Sequence, residues 1–128
     1  MAHLGLVTLV VRAYDEAIAF YVDSVGFDLT ADFALPDGKR WVVVTPPGAR
    51  TGLLLAEAAT PEQSARIGDQ TGGRVGLFLY SDDFDADHAR MTAAGVRFLE
   101  EPRREGYGTV AVFEDLYGNK WDLIQHAA

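Results

Sequence analysis

Strands and helices recur in the same order in the two halves of this chain, and few folds accommodate that. Tyr14-Asp15 returns as Phe84-Asp85 at a shift of 70, which pairs Leu6 with Gly76 and Ile18 with His88. Gly26 returns as Gly95 and Gly48 as Gly118 at nearly the same shift. In the first half, Leu6 to Val11 is a β-branched run that reads as a buried strand. A helical face then begins at Asp15, with both acids of its first turn suited to the helix dipole, and Gly26 ends it. Phe27 to Phe33 resumes as a strand, Pro36-Asp37-Gly38 turns the chain, and Arg40 to Thr45 and Gly52 to Ala56 follow as strands. Thr60-Pro61-Glu62-Gln63 carries the signature of a capped helix start, and with Gly72-Gly73 it reads as a link.

From Arg74 the pattern starts again. Val75 to Tyr80 is a strand, Phe84 to Ala94 a helix stopped by Gly95, and Val96 to Leu99 a strand. Pro102 to Tyr107 reads as a charged, mobile loop. Gly108 to Gln125 then supplies two apolar strands around the turn Leu116-Tyr117-Gly118-Asn119. The organisation expected is one domain over residues 1–128. It comprises a βαβββ module over about 1–58, a linker over about 59–73 and a second module over about 74–128. Neither module can cover both faces of its sheet alone. The expected fold class is α+β: two modules forming a curved mixed sheet around a cavity, with helices outside.

Composition removes several classes of function. Nineteen acids against eleven bases give a charge of −8, which disfavours nucleic acid and anionic membranes as partners. Without cysteine there is no disulfide, thiolate metal site or cysteine nucleophile. No signal peptide or membrane-length apolar run is visible, so a cytoplasmic location is expected.

Asp122 is the residue that needs explaining, because it sits inside the apolar final strand. Alternation sends Asp122 and Ile124 to one face and Trp121 and Leu123 to the other. Asp122 reads either as a polar anchor or general base in a cavity, or as an acid paired with a nearby base or facing water. Leu6, Thr8 and Val10 share its face if the repeat holds. Trp41 and Tyr107, beside a turn and a loop, are candidates for ligand contact. Glu114 stands next to the closing turn and is a second candidate acid. Arg40 and Arg74 either hold an anion or are solvated. His3 is offset from the face, His88 reads as a core histidine paired in the repeat with Ile18, and His126 as exposed.

The chain resembles the vicinal-oxygen-chelate superfamily of glyoxalases, extradiol dioxygenases and bleomycin-resistance proteins. The resemblance lies in Val10-Val11, Asp15, Ala17, Phe20-Tyr21 and Gly26-Phe27, and in Asp82-Asp83, Ala94-Gly95-Val96 and Phe113 to Asn119. Enzymes of that superfamily hold a divalent metal with His, Glu or Gln from the first and last strands of each half. Those positions fall here on Leu6, Leu54, Gly76 and Asp122, and only Asp122 is a ligand type. The resemblance therefore implies a metal-free protein that binds a small organic molecule in a cavity between its modules. Leu6, Thr8, Trp41, Leu54, Gly76, Tyr107 and Asp122 are its expected contacts. No cofactor is expected, and a homodimer is. The alternative is a lyase, isomerase or dioxygenase-type enzyme working through Asp122 and Glu114, or through a divalent metal held by His3, Asp122 and water.

Overall fold

The structure, a computed structural model, describes residues 1–128 and divides into two compact units, Met1–Ile67 and Gly68–Ala128. In the first unit β1 (Leu6–Val11), β2 (Asp28–Ala34), β3 (Arg40–Thr45) and β4 (Gly52–Glu57) form a mixed sheet ordered β1-β4-β3-β2. Strand β1 runs parallel to β4, and the other pairings are antiparallel. One face is apolar throughout: Leu9, Val11, Val42, Val44, Leu53 and Leu55 are buried there with Ala17, Tyr21 and Val25 of the helix that follows β1. Burial of such side chains, at roughly 1.5–3 kcal/mol each, is what holds the helix on the sheet.

That helix departs from the regular one expected. α1 (Tyr14–Ile18) is α-helical, but Ala19–Val25 continues as a wider π-helical stretch. The Tyr21 carbonyl accepts from the N–H groups of both Gly26 and Phe27, at 3.0 and 2.8 Å. The wider turn lets Gly26 leave the helix at φ 101° and brings the Phe27 ring to 5.7 Å from that of Tyr21. Arg40 fastens the other side of the unit. Its guanidinium bonds Asp32 through two nitrogens, at 3.1 and 2.8 Å, and Asp15 at 2.9 Å. It also lies over the Tyr14 ring, 5.1 Å from the centroid. The Thr60 cap closes as expected, with the Gln63 N–H donating to Thr60 Oγ1 at 3.1 Å. The Gln63 side chain reaches one residue further back, to the Ala59 N–H, and α2 (Pro61–Ser64) is a single turn.

The second unit repeats the topology with one modification. It contains β5 (Val75–Tyr80), α3 (Phe84–Ala93), β6 (Arg97–Phe98), β7 (Arg103–Glu105), β8 (Gly108–Glu114) and β9 (Lys120–His126). The order is β5-β9-β8-β6, with β7 also pairing β8, so β6 and β7 together stand where β2 stands in the first unit. Half of the stretch expected as a mobile loop, Arg103–Glu105, is therefore strand, with a turn at Gly106 and Tyr107. Its charges suit an edge, and two of them are tied down: Arg104 to Asp85 and Arg103 to Glu100, each at 2.9 Å. α3 is capped by the Asp83 side chain on the Ala86 N–H at 3.2 Å. Gln125 of β9 fixes its start, accepting from the Phe84 N–H at 2.8 Å and donating to the Asp82 carbonyl at 2.9 Å.

The turn between β8 and β9 is built by Asp115, which is buried. Its Oδ1 accepts from the N–H groups of Tyr117 and Asn119, both at 2.9 Å, and its Oδ2 from Asn119 Nδ2 at 2.8 Å. The register that follows places Val112 opposite Asp122 and Phe113 opposite Trp121. Replacing Asp115 by alanine leaves buried donors unmet, so Asp115→Ala is expected to cost about 3 kcal/mol. Urea unfolding checks this; a loss below about 1 kcal/mol would show that the turn does not depend on the carboxylate.

Candidate functional site

The residues expected to contact a ligand fall into two sets, one on each unit. On the first sheet Leu6, Thr8, Trp41 and Leu54 share the face turned away from α1. Thr8 pairs with Leu54, Leu54 with Val43, and Trp41 with Phe33. Trp41 and Leu54 line a groove of about 280 Å³ together with Tyr14, Lys39, Glu57 and Gln63. Leu6 and Thr8 lie outside it, exposed on the same face. Arg40 is committed to Asp32 and Asp15, and these bonds, in that order, raise its pKa further. It is thus a structural residue, neither an anion site nor a freely solvated base. Arg74 is exposed.

On the second sheet Asp122 pairs with Phe78 of β5 and Val112 of β8. Trp121 and Leu123 turn the other way and are buried, Trp121 stacking on Phe113 at 5.7 Å. The expected alternation holds. The place Asp122 occupies between β5 and β8 is the one Leu54 occupies between β1 and β3. Gly76 lies in a bulge between Val75 and Leu77, so that Val75 takes the position opposite Lys120. A Cβ on Gly76 would come within 2.5 Å of Thr71 Cγ2.

Asp122 Oδ1 is buried and has no hydrogen-bond partner. Burial is the main cause of a pKa raised above the ordinary aspartate value; the Arg103 charge opposes the rise and the Glu100 charge adds to it. These two neighbours were missed by the sequence reading. Glu100 takes the place of a strand partner between β6 and β7, its Oε2 accepting from the Val112 N–H at 2.9 Å. Burial alone would push its pKa up, but the bonds from Arg103 and Val112 outweigh that and hold it below the usual value. Arg103 Nε bonds Glu100 Oε1 at 2.9 Å and its Nη1 lies 3.8 Å from Glu105 Oε1. Val112, the cross-strand partner of Asp122, lines a hollow of about 270 Å³ with Glu100, Lys120, Val75, Leu99 and Gly73. Tyr107 is exposed at the β7–β8 turn.

Glu114 is on the Asp122 face but is paired with Arg97 at 3.1 Å. His3 Nδ1 lies 2.9 Å from Arg50 Nη2, on the first unit. His88 is half-buried between the rings of Phe84 and Phe98, at 5.5 and 4.2 Å, and His126 packs edge-on against Tyr80 at 4.7 Å. No group of three or more His, Asp or Glu side chains gathers where one ion could be held, so the donor set does not fit a divalent metal. No helix is long and apolar enough to cross a membrane.

A mixed four-stranded and a mixed five-stranded sheet of matching order, each with its helix on one face, define a class. The chain belongs to the Glyoxalase/Bleomycin resistance protein/Dioxygenase superfamily, whose family model matches residues 3–123. An uncharacterized protein of Shewanella frigidimarina is 56% identical over 121 residues, 93% of this chain and 90% of that one. Among solved structures, UcmS2 is 32% identical with a TM-score of 0.83, covering 97% of this chain and 98% of its own. TnmS3, an antibiotic binding protein from Streptomyces sp. CB03234, is 37% identical with a TM-score of 0.80, covering 99% and 98%.

The raised pKa of Asp122 has a consequence for stability. A carboxyl that holds its proton more tightly folded than unfolded stabilises fully below the unfolded pKa, and that contribution is lost as pH rises through the folded pKa. At neutral pH the ionised group is a net cost, which Asp122→Asn removes. The variant is expected to be more stable than the parent near pH ~7 by up to about 1 kcal/mol, allowing for screening at the solvent side. The gap should close as pH falls below the ordinary carboxylate range. Thermal melts of both proteins across pH check this; a variant less stable at neutral pH would show that Asp122 has a partner.

Proposed function

We propose that this protein binds a small organic molecule without a metal, on the face of the second sheet that carries Asp122. The observation that carries this reading is the buried, unpartnered Asp122 Oδ1 among exposed apolar side chains. Leaving a carboxylate oxygen dry costs folding free energy that a bound donor would offset. The likeness to an antibiotic binding protein over almost the whole chain supports binding of a drug-like or metabolite molecule. Binding without a metal is supported by the donor types themselves, with leucine at positions 6 and 54 and glycine at 76. The catalytic alternative is weakened because Glu114 is occupied by Arg97.

Thermal-shift screening against a broad panel of metabolites and antibiotics is expected to find a compound that raises the melting temperature. A hit at micromolar affinity raises stability by about 2.7 kcal/mol at a hundredfold excess over Kd. Its effect should fall in Asp122→Asn. Failure of every compound would count against binding. Metal analysis of protein purified without chelators should find no stoichiometric divalent ion; one ion per chain would overturn the metal-free reading.

We further propose a homodimer, supported by the edge strand β2, which exposes Leu29 and Phe33. Native mass spectrometry at micromolar concentration should show two chains, and a monomer would argue against it.

A further inference from the structure

We propose that the molecule bound at Asp122 carries a protonated amine on a flat apolar body, the ammonium paired with the Asp122 carboxylate and the body lying against Phe78. This rests on the binding reading above and narrows it to a class of ligand. Phe78 is the direct cross-strand neighbour of Asp122 and is 58% exposed, and Tyr80 beyond it on the same face is 69% exposed. Phe78 beside the Asp122 carboxylate, with Tyr80 two residues further along the same face and packed on its edge by His126, forms a surface suited to an aromatic cation.

The charges around Asp122 decide the sign of the ligand. Glu100 is held as a carboxylate by Arg103 and the Val112 N–H. Arg103 is engaged with Glu100 and lies near Glu105, so its single charge is shared between two acids before Asp122 is considered. Glu114, on the same face, is matched by Arg97. Lys120 is two residues from Asp122 on the same strand and lines the adjoining hollow, yet it does not bond Oδ1. Asp122, Glu100 and Glu105 against Arg103 and Lys120 leave an excess of one negative charge. An anion would meet that excess directly. A neutral hydroxyl could make the hydrogen bond but would gain nothing from the charge. An ammonium gains both, and its attraction to Asp122 is strengthened where water is partly excluded.

A matched trio of probes on one ring system tests this: 2-naphthylmethylamine, 2-naphthylmethanol and 2-naphthoate, titrated by calorimetry near pH ~7 in low salt, where they are cation, neutral and anion. The amine is expected to bind at least about tenfold more tightly than the alcohol, and the naphthoate more weakly than either. Asp122→Asn should cost the amine about tenfold and leave the alcohol within about twofold. Phe78→Ala, at an exposed position, should weaken the amine and the alcohol alike. Equal affinity for all three probes, or an unchanged amine affinity in Asp122→Asn, would overturn the amine preference while leaving ligand binding standing. Absence of binding by all three up to about 1 mM would overturn the preference and weaken the binding reading with it.

Discussion

The position of Asp122 depends on a different aspartate, Asp115, seven residues before it in the chain. Asp115 is buried in the β8–β9 turn and receives the backbone N–H groups of Tyr117 and Asn119 together with the Asn119 amide. Those bonds set where β9 starts, and in a strand a slip of one residue would exchange the two faces. With the register fixed, Trp121 and Leu123 enter the core and Asp122 is left on the opposite side, facing Val112 and Phe78. The two acids illustrate the same rule with opposite outcomes. One is buried with its partners supplied by the turn; the other has an oxygen buried with none.

Repetition of the fold makes the asymmetry between the units informative. Both sheets have the same order, and Leu54 and Asp122 hold corresponding places in them. In the first unit that place is apolar and borders a groove with Trp41; in the second it is charged and borders Glu100 and Lys120. A shared scaffold thus carries two differently equipped surfaces, and membership of the superfamily does not bring with it the chemistry of any one member. Of the four corresponding positions, Leu6, Leu54 and Gly76 offer no side-chain donor and Asp122 alone offers a carboxylate.

Much of this was legible in the chain. A β-branched run marked β1 and a short apolar run β5, glycines at 26 and 95 marked the helix ends, and period-two alternation at 121 to 124 placed Asp122 on its face. These are local signals, and local physics decides them. The failures have a common cause. Arg103 to Glu105 looks like solvated loop until its pairing with β8 is known, and Glu100 owes its position to the gap between β6 and β7. Arg40 looks available until Asp15 and Asp32, distant in sequence, close on it. The bulge at Gly76 shifts a position that simple repeat alignment would have set opposite Lys120. Each depends on a contact made across the sheet, which composition and periodicity do not encode. The charges that define the site electrostatically, Arg103 and Glu100, belong to this second group.

Whether Asp122 is a carboxylate without a partner is the point on which the functional reading turns, and its ionisation reports on that directly. With the aspartate carboxyl carbons labelled with ¹³C, an NMR titration of the ligand-free protein follows Asp122, assigned through Asp122→Asn. A midpoint clearly above the ordinary aspartate value of about 3.9 is the expected result, because burial disfavours the charged form and no donor compensates it. A midpoint at or below that value would mean that a base or a hydrogen-bond donor already satisfies Asp122, and the case for a ligand at this position would fall with it.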